Sequence, residues 1–137
     1  MRLNPDCVRS VLIALESADY IEVVESGGAE FCCVDLDELY EELRDFTKED
    51  IYYSVFNLAQ AGYLDVSERD EDNATILVVN YITYDGHEFL DALRDDTKWG
   101  MVKKGLAAIR SYSLSAVASI AGGVTSAAIS KYFASGA

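Results

Sequence analysis

The chain has 137 residues, of which 50% are hydrophobic and 26% charged, a composition typical of one folded domain and not of a disordered chain. Its formal net charge of −13 excludes the broadly basic surface on which most nucleic-acid-binding proteins rely. The cysteines are odd in number and Cys32 adjoins Cys33, so no disulfide framework is indicated. Met1 to Leu15 has the pattern of an amphipathic helix, so we expect no signal peptide and a cytoplasmic location.

The charges are unevenly distributed along the chain. Residues 1–97 hold all 24 carboxylates and only six cations, a net charge of −18. From Lys98 to Ala137 there are five cations and no acidic residue. We therefore divide the chain into an acidic winged-helix domain, residues 1–97, and a basic, apolar helical C-terminal extension, residues 98–137.

The first elements are a helix and a β-hairpin. Asn4-Pro5 is a favourable helix start, because Asn accepts from free N–H groups and Pro lacks only a donor that the first turn does not use. Apolar residues then recur at helical spacing from Val8 to Leu15. Tyr20 to Val24 and Phe31 to Val34 are rich in β-branched and aromatic residues, and the turn sequence Ser26-Gly27-Gly28 between them predicts a hairpin.

Two helices joined by a short turn come next. The second helix begins near Asp35, whose side chain can cap it, and the third begins after Thr47, with Asp50 placed as in a capping box. The third helix ends at Ala61-Gly62. Its inward stripe is Ile51, Val55 and Leu58. Such a pair of helices is the core of a helix-turn-helix.

A two-stranded ribbon and a further helix complete the acidic domain. Tyr63 to Val66 and Ile76 to Ile82 are strand-like, and the polar run Ser67 to Asn73 is the expected tip between them. We expect a fourth helix to start at Thr83 and to continue past Thr97 through Val102. The predicted fold class is α+β: a winged helix-turn-helix with an extra N-terminal β-hairpin and a C-terminal apolar helical extension.

The C-terminal extension contains an uncharged segment, Ser111 to Ser130, that is long enough to cross a bilayer. Its six serines make it only weakly apolar, and its rows of small residues permit close contact between helices. We expect a helix that packs on the acidic body or on a second copy, and attachment to an anionic lipid surface remains an alternative. The larger side chains on its apolar face are Leu114, Val117, Ile120, Val124 and Ile129.

Three segments resemble a known protein family: Asn4-Pro5-Asp6-Cys7, Ile51 to Leu64, and Thr83 to Trp99 (TYDGHEFLDALRDDTKW). They are similar to a family found in bacteria and their prophages, the domain of unknown function of the type twenty-five-thirteen. Its members carry a start like LNPDC, a helix end like AGYL and a TxxGHEFLD…RDDTxW segment. The resemblance implies a winged-helix-like fold and a mobile-element background, and it supplies no catalytic residues.

No group of residues has the pattern of a catalytic or metal site. His87 is the single histidine, and the adjacent cysteines lack the two-residue spacing of a zinc-binding pair. Carboxylate pairs such as Asp95-Asp96 are typical of a solvated surface in so acidic a chain. We expect His87 to cap or pack within the fourth helix, and we expect no enzyme activity, no cofactor and no metal.

The outward face of the third helix is the candidate site for a partner. Asn and Gln can read adenine and Tyr can reach phosphates, but Lys48 is the one cation of this helix and acidic residues surround it. An exposed face of Tyr, Phe and Asn without positive charge is typical of protein interfaces. The predicted partner-binding residues are Tyr52, Tyr53, Phe56, Asn57 and Gln60.

These patterns predict a non-enzymatic, phage-type accessory protein that binds a protein partner through its acidic winged-helix surface. An inhibitor or nucleic-acid mimic directed at a host nucleic-acid-handling or defence complex is one form of this function. Two other classes remain as alternatives: a winged-helix DNA-binding transcriptional regulator that dimerises through the tail, and a membrane-surface protein held by its C-terminal helix. The acidic surface also fits a role in solubility alone. The sequence leaves the partner and the oligomeric state open.

Overall fold

The computed structural model describes residues 1–123 and shows an α+β protein. In chain order the elements are α1 (Pro5–Glu16), β1 (Ile21–Val23), β2 (Ala29–Phe31), β3 (Val34–Asp35), α2 (Leu36–Glu42), α3 (Lys48–Gln60), β4 (Leu64–Glu71), β5 (Ala74–Ile82), α4 (Tyr84–Leu93) and α5 (Asp96–Ile109). A further helix, α6, begins at residue 114 and is described up to residue 123. The part of the chain that the structure describes thus has six helices and two small antiparallel sheets, and the predicted α+β class is confirmed.

Side chains just outside the helices determine where most of them begin. The side chains of Asn4, Thr47 and Thr83 each accept a hydrogen bond from the backbone N–H three residues later, at 3.3, 3.1 and 3.0 Å. Each of these contacts satisfies an N–H that the helix itself leaves without a partner. The three predicted helix starts are confirmed. Asp35 also precedes its helix as predicted, but its side chain makes no capping hydrogen bond.

A three-stranded sheet with the strand order β3-β5-β4 forms one side of the protein. The short strand β3 pairs with β5 through Val34, which lies opposite Val79. The prediction that Val34 belongs to the N-terminal hairpin is therefore wrong, because the chain leaves that hairpin at Phe31 and joins the second sheet. The order helix, strand, two helices, two-stranded ribbon is compatible with the winged-helix interpretation.

The N-terminal hairpin pairs with no other strand of residues 1–123. Ile21 lies opposite Phe31 and Val23 opposite Ala29, so these four side chains share one face, because facing residues of an antiparallel pair point the same way. Ile21, Val23 and Phe31 are each more than half exposed. The turn contains Gly27 with φ +88°, a backbone conformation that favours glycine. The predicted hairpin is confirmed, with shorter strands than expected.

The β4–β5 ribbon is longer than the sequence indicated. Its strands remain paired up to Glu71 and Ala74, so that the turn consists of Asp72 and Asn73 alone, with φ of 49° and 65°. Two consecutive residues with positive φ form the turn that best matches the twist of a hairpin, and Asp and Asn tolerate it. The prediction of a tip from Ser67 to Asn73 is therefore wrong. The outer half of β4 is exposed to solvent, so its residues are polar even though they form a strand.

The predicted single helix from Thr83 to Val102 is also wrong, because α4 ends at Leu93 and α5 begins at Asp96. Asp95 has an extended backbone, and its side chain accepts a hydrogen bond from the N–H of Lys98 at 2.8 Å. Asp competes well for backbone N–H groups, which favours a new helix start over continuation.

One arginine side chain forms hydrogen bonds on both sides of the break between α4 and α5. Arg9 of α1 donates through Nε to the carbonyl of Leu93 at 2.7 Å and through Nη2 to that of Arg94 at 2.8 Å. The same Nη2 donates to Oδ1 of Asp96 at 2.7 Å, and the Arg9 side chain is only 15% exposed. Trp99 then donates from Nε1 to Oδ1 of Asp6 at 2.9 Å. These contacts hold both ends of the break against α1.

A single hydrophobic core joins the acidic body to the helices that follow it. Trp99, Val102 and Leu106 of α5 belong to the same buried cluster as the apolar stripe of α1. Leu114 and Val117 of α6 belong to it as well. The predicted division between residues 97 and 98 lies inside α5, where the core is continuous on both sides.

A close backbone approach explains one glycine. A Cβ atom on Gly86 would lie 2.0 Å from the carbonyl oxygen of Tyr63, so α4 can approach this end of the ribbon only with glycine there. Thr83 reinforces the contact, because its hydroxyl donates to the carbonyl of Gly62 at 2.6 Å. The ring of Tyr63 stacks on Phe89 with 4.4 Å between centroids.

We predict opposite effects for alanine at two helical glycines. Gly86→Ala should lower the free energy of unfolding by about 3 kcal/mol, because the new methyl group meets backbone that cannot move away without displacing α4. Gly100→Ala on α5 has nothing within 4 Å of its Cβ and should raise that free energy by about 0.5–1 kcal/mol. Urea unfolding measures both changes. Equal stability of the two variants would show that α4 does not approach Tyr63 as described.

Candidate functional site

The outward side of α3 carries the five predicted partner-binding residues, and the structure places them on this one helix. Phe56 is 36% exposed and Gln60 is exposed, whereas Tyr52, Tyr53 and Asn57 are half-buried. The hydroxyl of Tyr52 donates to the carbonyl of Thr75 at 2.8 Å, which ties α3 to the ribbon. The side-chain amide of Asn57 donates to the carbonyl of Tyr53 at 2.8 Å. Tyr53, Phe56 and Gln60 are therefore the residues whose side chains are most available to a partner.

A groove of about 360 Å³ runs along the start of this helix. We call it the aromatic groove, and it is lined by Met1, Tyr40, Lys48, Glu49, Tyr52 and Tyr53. Met1 and Tyr40 are site residues that the sequence did not predict, since the spacing of Tyr40 places it on the inner stripe of α2. Part of the Tyr40 ring packs against the core, and the rest of the ring lines the groove. The one local signal was that Tyr40 is the single amphipathic member of an otherwise aliphatic stripe.

Carboxylates lie close to two tyrosines of the aromatic groove. Burial raises the pKa of the Tyr40 hydroxyl, and Asp37 and Glu49 raise it further. Burial, followed by Glu68, does the same to the pKa of Tyr52. Both phenols are therefore neutral at physiological pH and act as hydrogen-bonding groups. The ammonium group of Lys48 lies 5.5 Å from the centre of the Tyr40 ring.

The β4–β5 ribbon beside α3 is also acidic. Its outer part carries four carboxylates, those of Glu68, Asp70, Glu71 and Asp72, and one cation. That cation, Arg69, lies 3.4 Å from the Glu71 carboxylate. On α3 itself two acids accompany Lys48. Acidic residues therefore outnumber basic ones on both elements that a winged-helix protein would present to DNA.

The histidine and the cysteines form no site together. His87 is exposed on α4, where Thr83 provides the cap, so the expectation that His87 caps or packs within this helix is wrong. Cys7 is buried in the core, and Cys32 and Cys33 are exposed. Within residues 1–123, no three His, Cys, Asp or Glu side chains are grouped so that they could hold a metal ion.

The apolar residues of the C-terminal extension pack on the body as far as the structure describes them. Leu114 and Val117 are buried in the common core, and Ile120 is half-buried with its side chain against Gly105. Packing on the body was one of the arrangements that the sequence left open. Val124 and Ile129 lie outside the described residues. Among residues 1–123, no helix has both the length and the hydropathy needed to cross a membrane.

The structure thus defines a small α+β protein with an aromatic groove close to acidic residues. The chain belongs to the family described as "Hypothetical protein (DUF2513)", whose model matches residues 2–113. It is also similar to an uncharacterized protein of Haemophilus influenzae Rd, with 30% identity over 103 residues that cover 75% of this chain and 76% of that protein. No solved structure matches the chain. The family resemblance read from the sequence is confirmed.

The segments that carry the family resemblance contact each other away from the aromatic groove. Asp6 from the first segment accepts from Trp99 of the last, and Thr83 donates to Gly62 of the middle one. Lys103 adds an ion pair with Asp6 at 3.2 Å. These contacts hold the helices against each other.

We predict that the three thiols differ in reactivity. Burial raises the pKa of the Cys7 thiol, and the thiolate is the reactive form, so this residue should resist alkylation at neutral pH. Exposed Cys32 and Cys33 should react in the folded protein. Mass spectrometry after brief treatment with iodoacetamide should show two modifications, and a third only in denaturant. Three rapid modifications of the native protein would contradict the burial of Cys7 in the core.

Proposed function

We propose that this protein is a non-enzymatic binding module of the winged-helix type, which attaches to a basic protein surface through the aromatic groove and the adjoining side of α3. The observation that carries the proposal is the combination of accessible aromatic side chains, exposed Phe56 and half-buried Tyr53, with nearby carboxylates on α2, α3 and the ribbon. Tyr53 and Phe56 supply the apolar contact, and Glu49 contributes to the acidic rim.

Aromatic residues at the centre of an interface supply much of its binding energy, because they bury large areas with few rotatable bonds. Charged residues at the rim contribute mainly to the rate of association and to the choice of partner. A partner that fits this surface therefore has an apolar or aromatic centre surrounded by Lys and Arg. Neutral Tyr40 and Tyr52 add hydrogen-bonding groups inside the groove.

The same surface argues against duplex DNA as the ligand. Proteins gain most of their affinity for DNA when cations neutralise phosphates and release counterions. Here α3 and the ribbon both carry an excess of carboxylates, and Arg69 already faces Glu71. A chain with a net charge of −13 repels a polyanion before any base can be read.

One biological form of this function is inhibition of a complex that handles nucleic acid, in which the acidic surface takes the place of phosphates in a basic groove. The family resemblance, with its mobile-element background, motivates this form and makes the cytoplasm the expected location. No step of the proposal involves catalysis, a cofactor or a metal.

We expect the double substitution Tyr53→Ala with Phe56→Ala to weaken partner binding by at least about 30-fold, since each aromatic anchor contributes on the order of 1–2 kcal/mol. The matched control is Tyr84→Ala, which removes a tyrosine that is 79% exposed on α4, far along the chain from the groove. Affinity capture from a lysate of the native host, with quantitative mass spectrometry, compares the variants. Circular dichroism and thermal unfolding verify that each one folds.

The proposal requires that captured proteins present basic surfaces, that the double variant loses them, and that the Tyr84→Ala variant retains them. Raising the salt concentration should also weaken capture, because the carboxylate rim acts through screened charges. Equal capture by all three proteins would contradict the assigned surface. Capture that depends on added nucleic acid would contradict the class of partner.

A further inference from the structure

A second pocket, of about 360 Å³, lies where the N-terminus meets the link between α5 and α6. We call it the arginine pocket. Arg2 and Arg110 line it together with Tyr53, Asn57 and residues 111–113, and none of its lining residues is acidic. In a chain with 24 carboxylates, this concave surface has two guanidinium groups and no acid.

Neither arginine is engaged by an acidic partner. The ion pairs among residues 1–123 involve Arg9, Arg69, Arg94 and Lys103, and neither Arg2 nor Arg110 forms one. The Arg2 guanidinium lies 4.2 Å from the centre of the Tyr112 ring, which holds it in place but leaves its N–H groups free to donate in the plane of the guanidinium. The two arginines thus retain their capacity to bind an oxyanion.

The backbone conformation that places Arg110 in the pocket is energetically unfavourable for a residue other than glycine. Arg110 ends α5 in the left-handed conformation, with φ 54° and ψ 39°, where glycine is the usual residue. That conformation turns the chain from α5 into the link with α6 and places Arg110 beside Tyr53 and Asn57 of α3. A strained conformation at a non-glycine residue often marks a position where the side chain has a use.

The other lining groups suit the same chemistry. Tyr53, Ser111 and Ser113 carry hydroxyl groups, and Asn57 carries an amide. Two guanidinium groups with several neutral donors form the type of set that binds a phosphate, because Arg matches its oxygens with pairs of parallel N–H groups. We propose that the arginine pocket binds the phosphate group of a small phosphorylated molecule.

The size of the ligand follows from the charge of the surroundings. At physiological ionic strength, charges more than about 8 Å apart are largely screened, so a single phosphate in the pocket responds chiefly to Arg2 and Arg110. A nucleic acid would extend from the pocket over the acidic surface of α3 and the ribbon, where carboxylates repel each further phosphate. A monophosphate is small enough to contact Arg2 and Arg110 without reaching the carboxylates of α3 and the ribbon.

This inference does not depend on the proposed protein partner, although Tyr53 borders both surfaces. The test uses inorganic phosphate and adenosine monophosphate as probes on the full chain, with nuclear magnetic resonance titration and thermal unfolding as readouts. The amides of Asn57 and of residues 111–113 should shift with saturation, with a dissociation constant on the order of 1 mM or tighter. At tenfold excess over that constant, the melting temperature should rise by roughly 4 °C.

The variants Arg2→Gln and Arg110→Gln should each lose at least about tenfold in affinity for both probes. Arg44→Gln is the matched control, since it removes one positive charge from a different groove, beside Asp37 and Glu41, and should bind the probes as the native chain does. Comparing ligand-induced shifts between variants cancels the general stabilising effect of phosphate as a salt.

Three results would overturn the inference. The first is the absence of saturable shifts in the pocket amides with either probe. The second is equal loss of binding in Arg44→Gln and in the pocket variants, which would indicate net charge alone. The third is tighter binding of single-stranded or duplex oligonucleotides than of adenosine monophosphate. Binding of both probes that is lost only with Arg2 and Arg110 supports it, and a stronger response to adenosine monophosphate would assign part of the affinity to the nucleoside.

Discussion

The exclusion of charge from the core determines what the surface of this protein can do. The buried cluster is apolar, with Ser54 as its one polar side chain among residues 1–123, and the hydroxyl of Ser54 donates to the carbonyl of Asp50 at 2.8 Å. The carboxylates must therefore lie toward solvent, because a buried unpaired charge would cost several kcal/mol. Carboxylates therefore outnumber cations on the surface of residues 1–97. The arginine pocket departs from this pattern, since none of its lining residues is acidic.

Residues of α5, together with Arg94 just before it, hold α1 in place. Lys103 and Trp99 of α5 both contact Asp6 at the start of α1, and Arg94 forms an ion pair with Glu16 at the end of the same helix. The Arg94 guanidinium holds the pKa of the Glu16 carboxyl below its usual value. This exposed pair stabilises the fold by less than about 1 kcal/mol, and its contribution is lost as the pH falls through the lowered pKa.

Local chemistry explains which parts of the fold could be predicted from the sequence. Capping residues such as Thr47 and Thr83, and the apolar stripes of the helices, act within a few residues, so their patterns predicted the helices and the buried faces. The break at Asp95 and the two-residue turn after Glu71 also have local causes, an Asp cap and the Asp72-Asn73 pair, but the helical spacing of apolar residues and the polarity of the outer half of β4 predicted otherwise. The candidate sites depend instead on contacts between distant parts of the chain. The arginine pocket joins Arg2 to Arg110, and no spacing along the chain could have brought them together.

We propose that α3 and the β4–β5 ribbon, which a winged-helix protein would present to DNA, carry a surface that repels it. Fluorescence anisotropy with labelled random-sequence duplex, measured between about 50 and 200 mM salt, tests this claim most directly. The account predicts no binding of duplex at the lowest salt concentration, where electrostatic attraction would be strongest. Tight binding that weakens steeply as salt increases would contradict it, because such a salt dependence requires several cations on phosphates that α3 and the ribbon do not provide.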